Sequence, residues 1–104
     1  MKRIIKGKTF NTETAVKVCA TGNGLNPNDF AHERSALYVT KKGAWFIAGR
    51  GGPSSRFARK ISTNGRTDGE GIIVLSREAA LTECEKYGDA ADVEEFFGDM
   101  IAEA

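Results

Sequence analysis

Long apolar runs are missing from this chain. Stretches of aliphatic residues such as Ile72 to Leu75 end after a few positions. A membrane-spanning helix needs about 20 apolar residues, and a signal peptide needs a central apolar stretch of roughly 7 to 15. The sequence therefore predicts neither a membrane protein nor a secreted one, and we expect a soluble protein of the cytoplasm.

Side chains for metal binding and acid–base chemistry are scarce. His32 is the only histidine, which excludes a two-histidine metal site, and Cys19 and Cys84 lack the close spacing of zinc ligands. We interpret both cysteines as buried free thiols of a reducing compartment. His32 could form an acid–base pair with Asp29 or Glu33, but its polar surroundings are typical of a solvated surface histidine. We therefore expect no metal, no cofactor and no enzymatic activity.

Net charge is only +1, but the charges are unevenly distributed along the chain. Residues 1–66 contain thirteen lysines and arginines against three acids, a net charge of +10. Residues 67–104 contain two basic residues against eleven acids, a net charge of −9. If both halves belong to one compact domain, this division predicts a dipolar surface rather than a uniformly charged one.

The composition predicts a single folded domain over residues 1–104, because 40% of the residues are hydrophobic and 28% are charged. In the first half, strand residues at 2–5 and around 9–10 indicate an edge strand or small hairpin. The spacing of Ala15, Val18 and Cys19 predicts a helix over 12–20. A polar segment rich in glycine and asparagine predicts an irregular loop over 21–35. The runs at 36–40 and 44–49 predict a hairpin.

The second half predicts one strand and two helices. Residues 72–75 are all aliphatic, which indicates a central strand covered on both faces. Ser76 is placed to cap a helix that ends near Gly88, and Asp89 is placed to cap a final amphipathic helix. Its apolar stripe, which we expect to dock on the sheet, comprises Val93, Phe96, Phe97, Met100 and Ile101. The element order β, α, β, β, β, α, α predicts an α+β fold: a small antiparallel sheet with helices packed on one side.

The segment 49–71 contains six glycines, one proline and five basic residues, and its only structural indication is a possible helical turn over 54–60. Its opening glycines could cradle a phosphate or simply form a tight turn after a strand. Arginine and lysine can bind phosphates, and a nearby aromatic ring can stack on unpaired bases. The basic segment could therefore contact a nucleic acid, contact an acidic protein surface, or be merely solvated. The candidate partner-binding residues are Trp45, Arg50, Arg56, Arg59, Lys60 and Arg66.

Three blocks of sequence carry a resemblance to a known group of proteins: MKRIIKGKTFNTETA, SALYVTKKGAWFIAGRGGPSSRFARK and EGIIVLSREAALTECEKYGDAADVEEFFGD. Together they resemble short proteins found on phages, plasmids and other mobile elements of bacteria, some of which act as anti-CRISPR inhibitors. The chain departs from that pattern at Arg50, where an acidic or neutral residue is common, and at Val74, where proline is common. It also lacks a tryptophan expected within 64–69.

The resemblance implies a non-enzymatic inhibitor, encoded by a mobile element and acting in the cytoplasm of a bacterial host. It would bind and block a host defence protein or ribonucleoprotein complex, with a CRISPR–Cas effector as the expected target. The alternative hypothesis is a small nucleic-acid-binding accessory protein that uses the basic glycine-rich loop 49–69.

Overall fold

A four-stranded antiparallel sheet forms the centre of the molecule. The computed structural model describes all 104 residues, and the strands of the central sheet lie in the order β3-β4-β5-β8. Two small ribbons, β1-β2 and β6-β7, accompany it. The strands are β1 Lys2–Ile5, β2 Lys8–Asn11, β3 Val16–Ala20, β4 Glu33–Val39, β5 Trp45–Gly51, β6 Arg59–Lys60, β7 Arg66–Thr67 and β8 Gly69–Leu75. Helices α1 Arg77–Tyr87 and α2 Ala90–Phe97 follow, and a short 3-10 turn covers Gly98–Met100.

Both faces of the sheet are covered, but by different elements. Successive side chains of a strand point to opposite faces, so Trp45 and Ile47 of β5 face one way while Phe46 and Ala48 face the other. Trp45 and Ile47 belong to the larger core cluster, which includes residues of α1 and α2. Phe46 and Ala48 pack instead against the β1–β2 hairpin. The molecule therefore has three layers, with both helices on one side of the sheet, which confirms the predicted α+β fold.

The helix layer begins and docks as the sequence predicts. The Ser76 side chain accepts a hydrogen bond from the amide of Ala79, and Asp89 forms a capping box with Asp92. Phe97 is fully buried, and its ring stacks on Trp45 with 4.6 Å between centroids. The apolar stripe ends sooner than predicted, because α2 stops at Phe97. Beyond the 3-10 turn, Ile101 is exposed.

The hairpin layer packs on the sheet around an aromatic pair, with Ile5 beside it. Phe10 of β2 is buried and packs edge-on against Phe46, with 5.5 Å between ring centroids. Lys6 and Gly7 join the two strands and both have positive φ angles, 51° and 77°. Positive φ at both central residues is characteristic of a type I′ turn, which favours asparagine or glycine and disfavours lysine. Lys6 is the only non-glycine residue with positive φ.

Four predictions of local structure were wrong. The helix expected over 12–20 is strand β3, in which a β-bulge between Lys17 and Cys19 places Val18 and Cys19 next to each other in the core. The expected loop over 21–35 ends earlier, since β4 begins at Glu33. Residues 72–75 belong to β8, which is an edge strand paired only with β5. The possible helical turn over 54–60 is absent, and its last two residues form β6.

Candidate functional site

The glycine-rich segment leaves the end of β5 through a tight turn. A side chain at Gly51 or Gly52 would overlap with neighbouring atoms of Ser55, His32 and Phe30. The amide of Gly52 donates to the carbonyl of His32, and the amide of Ser54 donates to the carbonyl of Phe30. Because these amides are already bonded, the turn offers few free donors to a phosphate, and the glycines serve close packing.

Arg56 is the centre of an ion-pair network rather than a free surface cation. Its guanidinium bonds to both carboxylate oxygens of Glu33, at 3.0 Å and 3.1 Å from Nε and 2.9 Å from Nη2. A further bond joins Nη1 to Glu83 of α1. Burial alone would lower the pKa of Arg56, but the hydrogen bonds to Glu33 and Glu83 raise it above its ordinary value. Arg56 therefore fastens the loop to β4 and α1.

The carboxylate of Glu33 requires this partner. Glu33 is 8% exposed, and an unpaired buried carboxylate is costly. Ser35 donates a hydrogen bond to it at 3.0 Å, and the Ser35 hydroxyl in turn lies 2.7 Å from that of Thr21. The network thus continues from the loop into the ends of β3 and β4.

Trp45 lies in the core and not on the binding surface. It is 6% exposed and packs between Phe96 and Phe97, with ring centroids 6.4 Å and 4.6 Å away. Its ring cannot stack on a base unless α2 detaches. Trp45 was therefore wrongly grouped with the loop cations as a surface residue.

The four remaining candidates are exposed and have no carboxylate within 4.0 Å: Arg50, Arg59, Lys60 and Arg66. In the β6–β7 ribbon Lys60 lies directly opposite Arg66. In the central sheet Arg50 lies opposite Arg34 on one side and Glu70 on the other. Like charges at directly opposite positions destabilise a strand pair, so the pairing of Lys60 with Arg66 does not serve the stability of the fold, whereas Glu70 offsets part of the charge beside Arg50.

His32 forms no acid–base pair with either neighbouring acid. Its Nδ1 lies 2.8 Å from the backbone oxygen of Asp29. The side chain of Asp29 accepts from the amide of Ala31, and that of Glu33 is occupied by Arg56. His32 also borders a shallow cavity of about 250 Å³ with Arg50, Asp68 and Glu70. Its contacts stabilise the loop before β4.

A second group of cations, which sequence reasoning missed, lies on the hairpin side of the sheet. Lys6 lies in the turn of β1–β2 and Lys8 directly follows it, and Lys41 and Lys42 lie in the turn between β4 and β5. The two turns line common cavities. Each turn is visible in the sequence as lysines beside a glycine, but their proximity depends on how the hairpin packs on the sheet.

The two cysteines meet in the core as reduced thiols. Cys19 of β3 and Cys84 of α1 are both buried free thiols of the same core cluster. Burial, reinforced by Cys84, raises the pKa of Cys19 to about 12, and burial raises the pKa of Cys84 as well. Since the thiolate is the reactive species, both residues should be inert in the folded protein.

We expect a thiol reagent to label neither cysteine at neutral pH in native buffer and to label both in denaturant. Above pH 9.0, the ordinary thiol pKa, unfolded Cys19 loses its proton while folded Cys19 keeps it up to about pH 12. Folding stability should therefore fall as pH rises through this range. Cys19→Ala should show a shallower decline in unfolding free energy, measured by urea titration at each pH. Native labelling as fast as labelling in denaturant would contradict the burial.

No protein-family model, curated protein or solved structure matches this chain. Neither α1 nor α2 has the length and apolar character needed to cross a bilayer.

Proposed function

We propose that this protein is a non-enzymatic inhibitor, encoded by a bacterial mobile element, that binds and blocks a host defence complex. The observation that carries the proposal is the exposed β6–β7 ribbon, where Lys60 faces Arg66 without a neutralising acid. Such a pair costs stability and is explained by a partner that brings negative charge. The likeness of the sequence to mobile-element proteins points to a CRISPR–Cas effector as that partner.

The binding surface consists of Arg59, Lys60 and Arg66 of the ribbon together with Arg50 at the neighbouring end of β5. The ribbon follows a loop that Arg56 and the buried Phe57 fix to the body of the protein. A fixed ribbon loses little freedom on binding, which favours affinity. Complementary charge accelerates association with an acidic surface and suppresses wrong partners. An acidic protein surface of the defence complex is the contact that we propose.

The test is inhibition of purified CRISPR–Cas effectors of several types, measured as target cleavage against protein concentration. We expect one effector to lose activity in proportion to the added protein, as a stoichiometric inhibitor requires. The triple variant Arg59→Glu, Lys60→Glu and Arg66→Glu should abolish inhibition and leave the thermal midpoint within a few degrees of the parent, because exposed charges contribute little to stability.

A matched control reverses Lys2, Arg3 and Lys17, three exposed cations outside the ribbon. This control changes the net charge by the same amount and should inhibit normally. If every effector keeps its full activity when this protein is present in molar excess, CRISPR–Cas is excluded as the target. Normal inhibition by the ribbon variant would place the interface elsewhere, and the acids Glu83, Asp92, Glu94 and Glu95 of the helix layer would be changed next.

The second candidate is a nucleic-acid-binding accessory protein that uses the loop 49–69. The adjacency of Arg34 and Arg50 in the sheet favours it, because two neighbouring cations suit a phosphate. Salt dependence separates the two functions. Binding to phosphates should weaken steeply as salt rises, whereas a specific protein interface should retain stoichiometric binding.

A further inference from the structure

We propose that the hairpin side of the molecule carries a separate binding groove for the phosphodiester backbone of a nucleic acid. The groove lies between the β1–β2 turn and the β4–β5 turn, and neither turn belongs to the loop 49–69. The inference therefore goes beyond the inhibitor function and does not depend on it.

The groove is formed by two adjoining cavities. One has a volume of about 550 Å³ and the other about 520 Å³. They share Lys8, Phe10 and Ala44 among their lining residues, so they form one continuous trough. This trough extends from the Lys41–Lys42 turn, past the hairpin, to Val74 at the edge of the central sheet.

The charges in the groove are of one sign. Lys6, Lys8, Lys41 and Lys42 line it, none of them forms an ion pair, and no carboxylate lines either cavity. Arg77 also lines it but is paired with Asp99. Four free ammonium groups around one concave surface repel each other, and their arrangement favours an anionic ligand.

The chemistry of the lining favours phosphate over an acidic protein. Hydroxyl groups of Thr9, Thr14 and Thr40 accompany the lysines. Gly7 and Gly43 leave open space above the backbone of both turns, so a ligand can approach closely. The charged groups of the groove can only donate hydrogen bonds, and the oxygens of a phosphodiester backbone can only accept them. An acidic protein surface would also present amide and ammonium donors, which the four lysines cannot accept.

The backbone of Lys6 is a second, independent observation. Lys6 occupies the first central position of the type I′ turn with a φ of 51°, where asparagine would be unstrained. A strained lysine at the mouth of the groove is explained by a need for its charge there.

Acidic helices close to the groove would repel a nucleic acid, but the layered fold places them on the other side of the sheet. The acid-rich helices α1 and α2 cover the opposite face of the sheet, and the loop 49–69 is drawn toward them through the contact of Arg56 with Glu83. The hairpin side therefore presents its positive potential away from most of the acids. The groove reaches the helix layer only at Arg77 of α1, a basic residue, so a bound nucleic acid would lie away from most of the acids.

The test measures fluorescence anisotropy of labelled oligonucleotides of about 20 residues, as single-stranded RNA, single-stranded DNA and duplex DNA, over a range of salt concentrations. Four lysine–phosphate contacts predict a slope of log K against log salt of about −3 for single strands. A rise from about 50 mM to about 200 mM salt should therefore weaken binding roughly 50-fold. Binding should show no sequence preference, since the groove offers no base-specific contacts.

Two double variants that lose the same charge distinguish oligonucleotide binding in the groove from binding on the β6–β7 ribbon. Lys41→Gln with Lys42→Gln should weaken binding at least about tenfold and reduce the salt slope by roughly 1.4, the contribution of two phosphates. Arg59→Gln with Lys60→Gln should leave both values unchanged. Loss of binding in the ribbon variant alone would overturn the groove and support the loop 49–69 as the nucleic-acid site.

Lys6→Asn supplies a readout that a purely structural role would not give. The substitution should raise the thermal midpoint, because asparagine suits the turn, and should weaken oligonucleotide binding. A raised midpoint with unchanged binding would contradict the role of Lys6. Competition by polyglutamate as effective as that by the oligonucleotide would show that the groove takes acidic protein and would overturn the assignment to phosphate.

Discussion

Phe97→Ala should lower the free energy of unfolding by about 3 to 5 kcal/mol, the usual cost of removing a large buried aromatic side chain. Phe97 is fully buried and stacks on Trp45, so its loss opens a cavity between α2 and the sheet. Since small domains have a total stability of roughly 5 to 15 kcal/mol, much of the protein would unfold at moderate temperature. Urea denaturation followed by tryptophan fluorescence measures the change, because Trp45 is the only tryptophan.

Two other phenylalanines provide graded controls. Phe96 is half-buried against Trp45, so Phe96→Ala should cost less than Phe97→Ala. Phe30 is 72% exposed, and Phe30→Ala should change stability by no more than about 0.5 kcal/mol. Equal effects at Phe97 and Phe30 would mean that α2 is detached in solution and that its apolar stripe is available to a partner.

Arg56→Ala should destabilise the protein by about 2 to 3 kcal/mol. Removing one partner of a fully buried ion pair costs roughly 3 to 5 kcal/mol, because the other charge is left uncompensated. The expected cost here is lower, since 32% of the Arg56 side chain is exposed, although Glu33 is only 8% exposed. Differential scanning calorimetry should show a drop in thermal midpoint of roughly 10 °C or more for a domain of this size.

Arg59→Ala removes the same charge from the same segment and serves as the matched control. Arg59 is exposed and unpaired, so this variant should melt within a few degrees of the parent. The sequence alone suggests the same tolerance for Arg56, which would make reversal of Arg56, Arg59 and Lys60 to glutamate harmless to folding. The structure contradicts that expectation for Arg56. If Arg56→Ala melts like Arg59→Ala, the network contributes nothing to stability.

Short sequence motifs correctly predicted the helix caps, the β4–β5 hairpin and the buried face of α2, because neighbouring residues determine these features. Ser76 and Asp89 cap their helices through hydrogen bonds three residues along the chain, and such caps are visible as short motifs. The β4–β5 hairpin is likewise a local element, with aliphatic and aromatic runs on either side of Gly43. The spacing of Val93 and Phe97 also identified the face of α2 that docks, because helical periodicity is a direct signature of one-sided burial.

The errors arose where nonlocal contacts determine the structure. A bulge in β3 makes Val18 and Cys19 consecutive core residues, which breaks the alternation expected of a strand and imitates helical spacing. The aliphatic run in β8 resembles a central strand because its residues are divided between two layers, yet β8 lies at the edge of the sheet. Ile72 packs toward the hairpin, and Ile73 and Leu75 pack toward the helices. Neither layer can be inferred from β8 itself.

In the candidate site, too, the sequence reveals local features but not the contacts between distant residues. Exposed cations of the loop 49–69 are evident from composition, but the partners of Arg56 lie 23 and 27 residues away in sequence. No local pattern connects Arg56 with Glu33 or Glu83. The proximity of Lys8 to Lys41 and Lys42 is equally hidden, because it depends on the docking of one hairpin turn beside another.

The bulge in β3 also affects how the protein behaves among its own copies. β3 is an edge of the central sheet, and a regular edge strand is a template on which a strand of another molecule can assemble. Here the bulge interrupts the row of amides and carbonyls that such a strand would pair with, and exposed Lys17 adds a charge that a second β3 would have to approach. The irregularity that makes this segment hard to recognise as a strand therefore protects the sheet from aggregation along this edge.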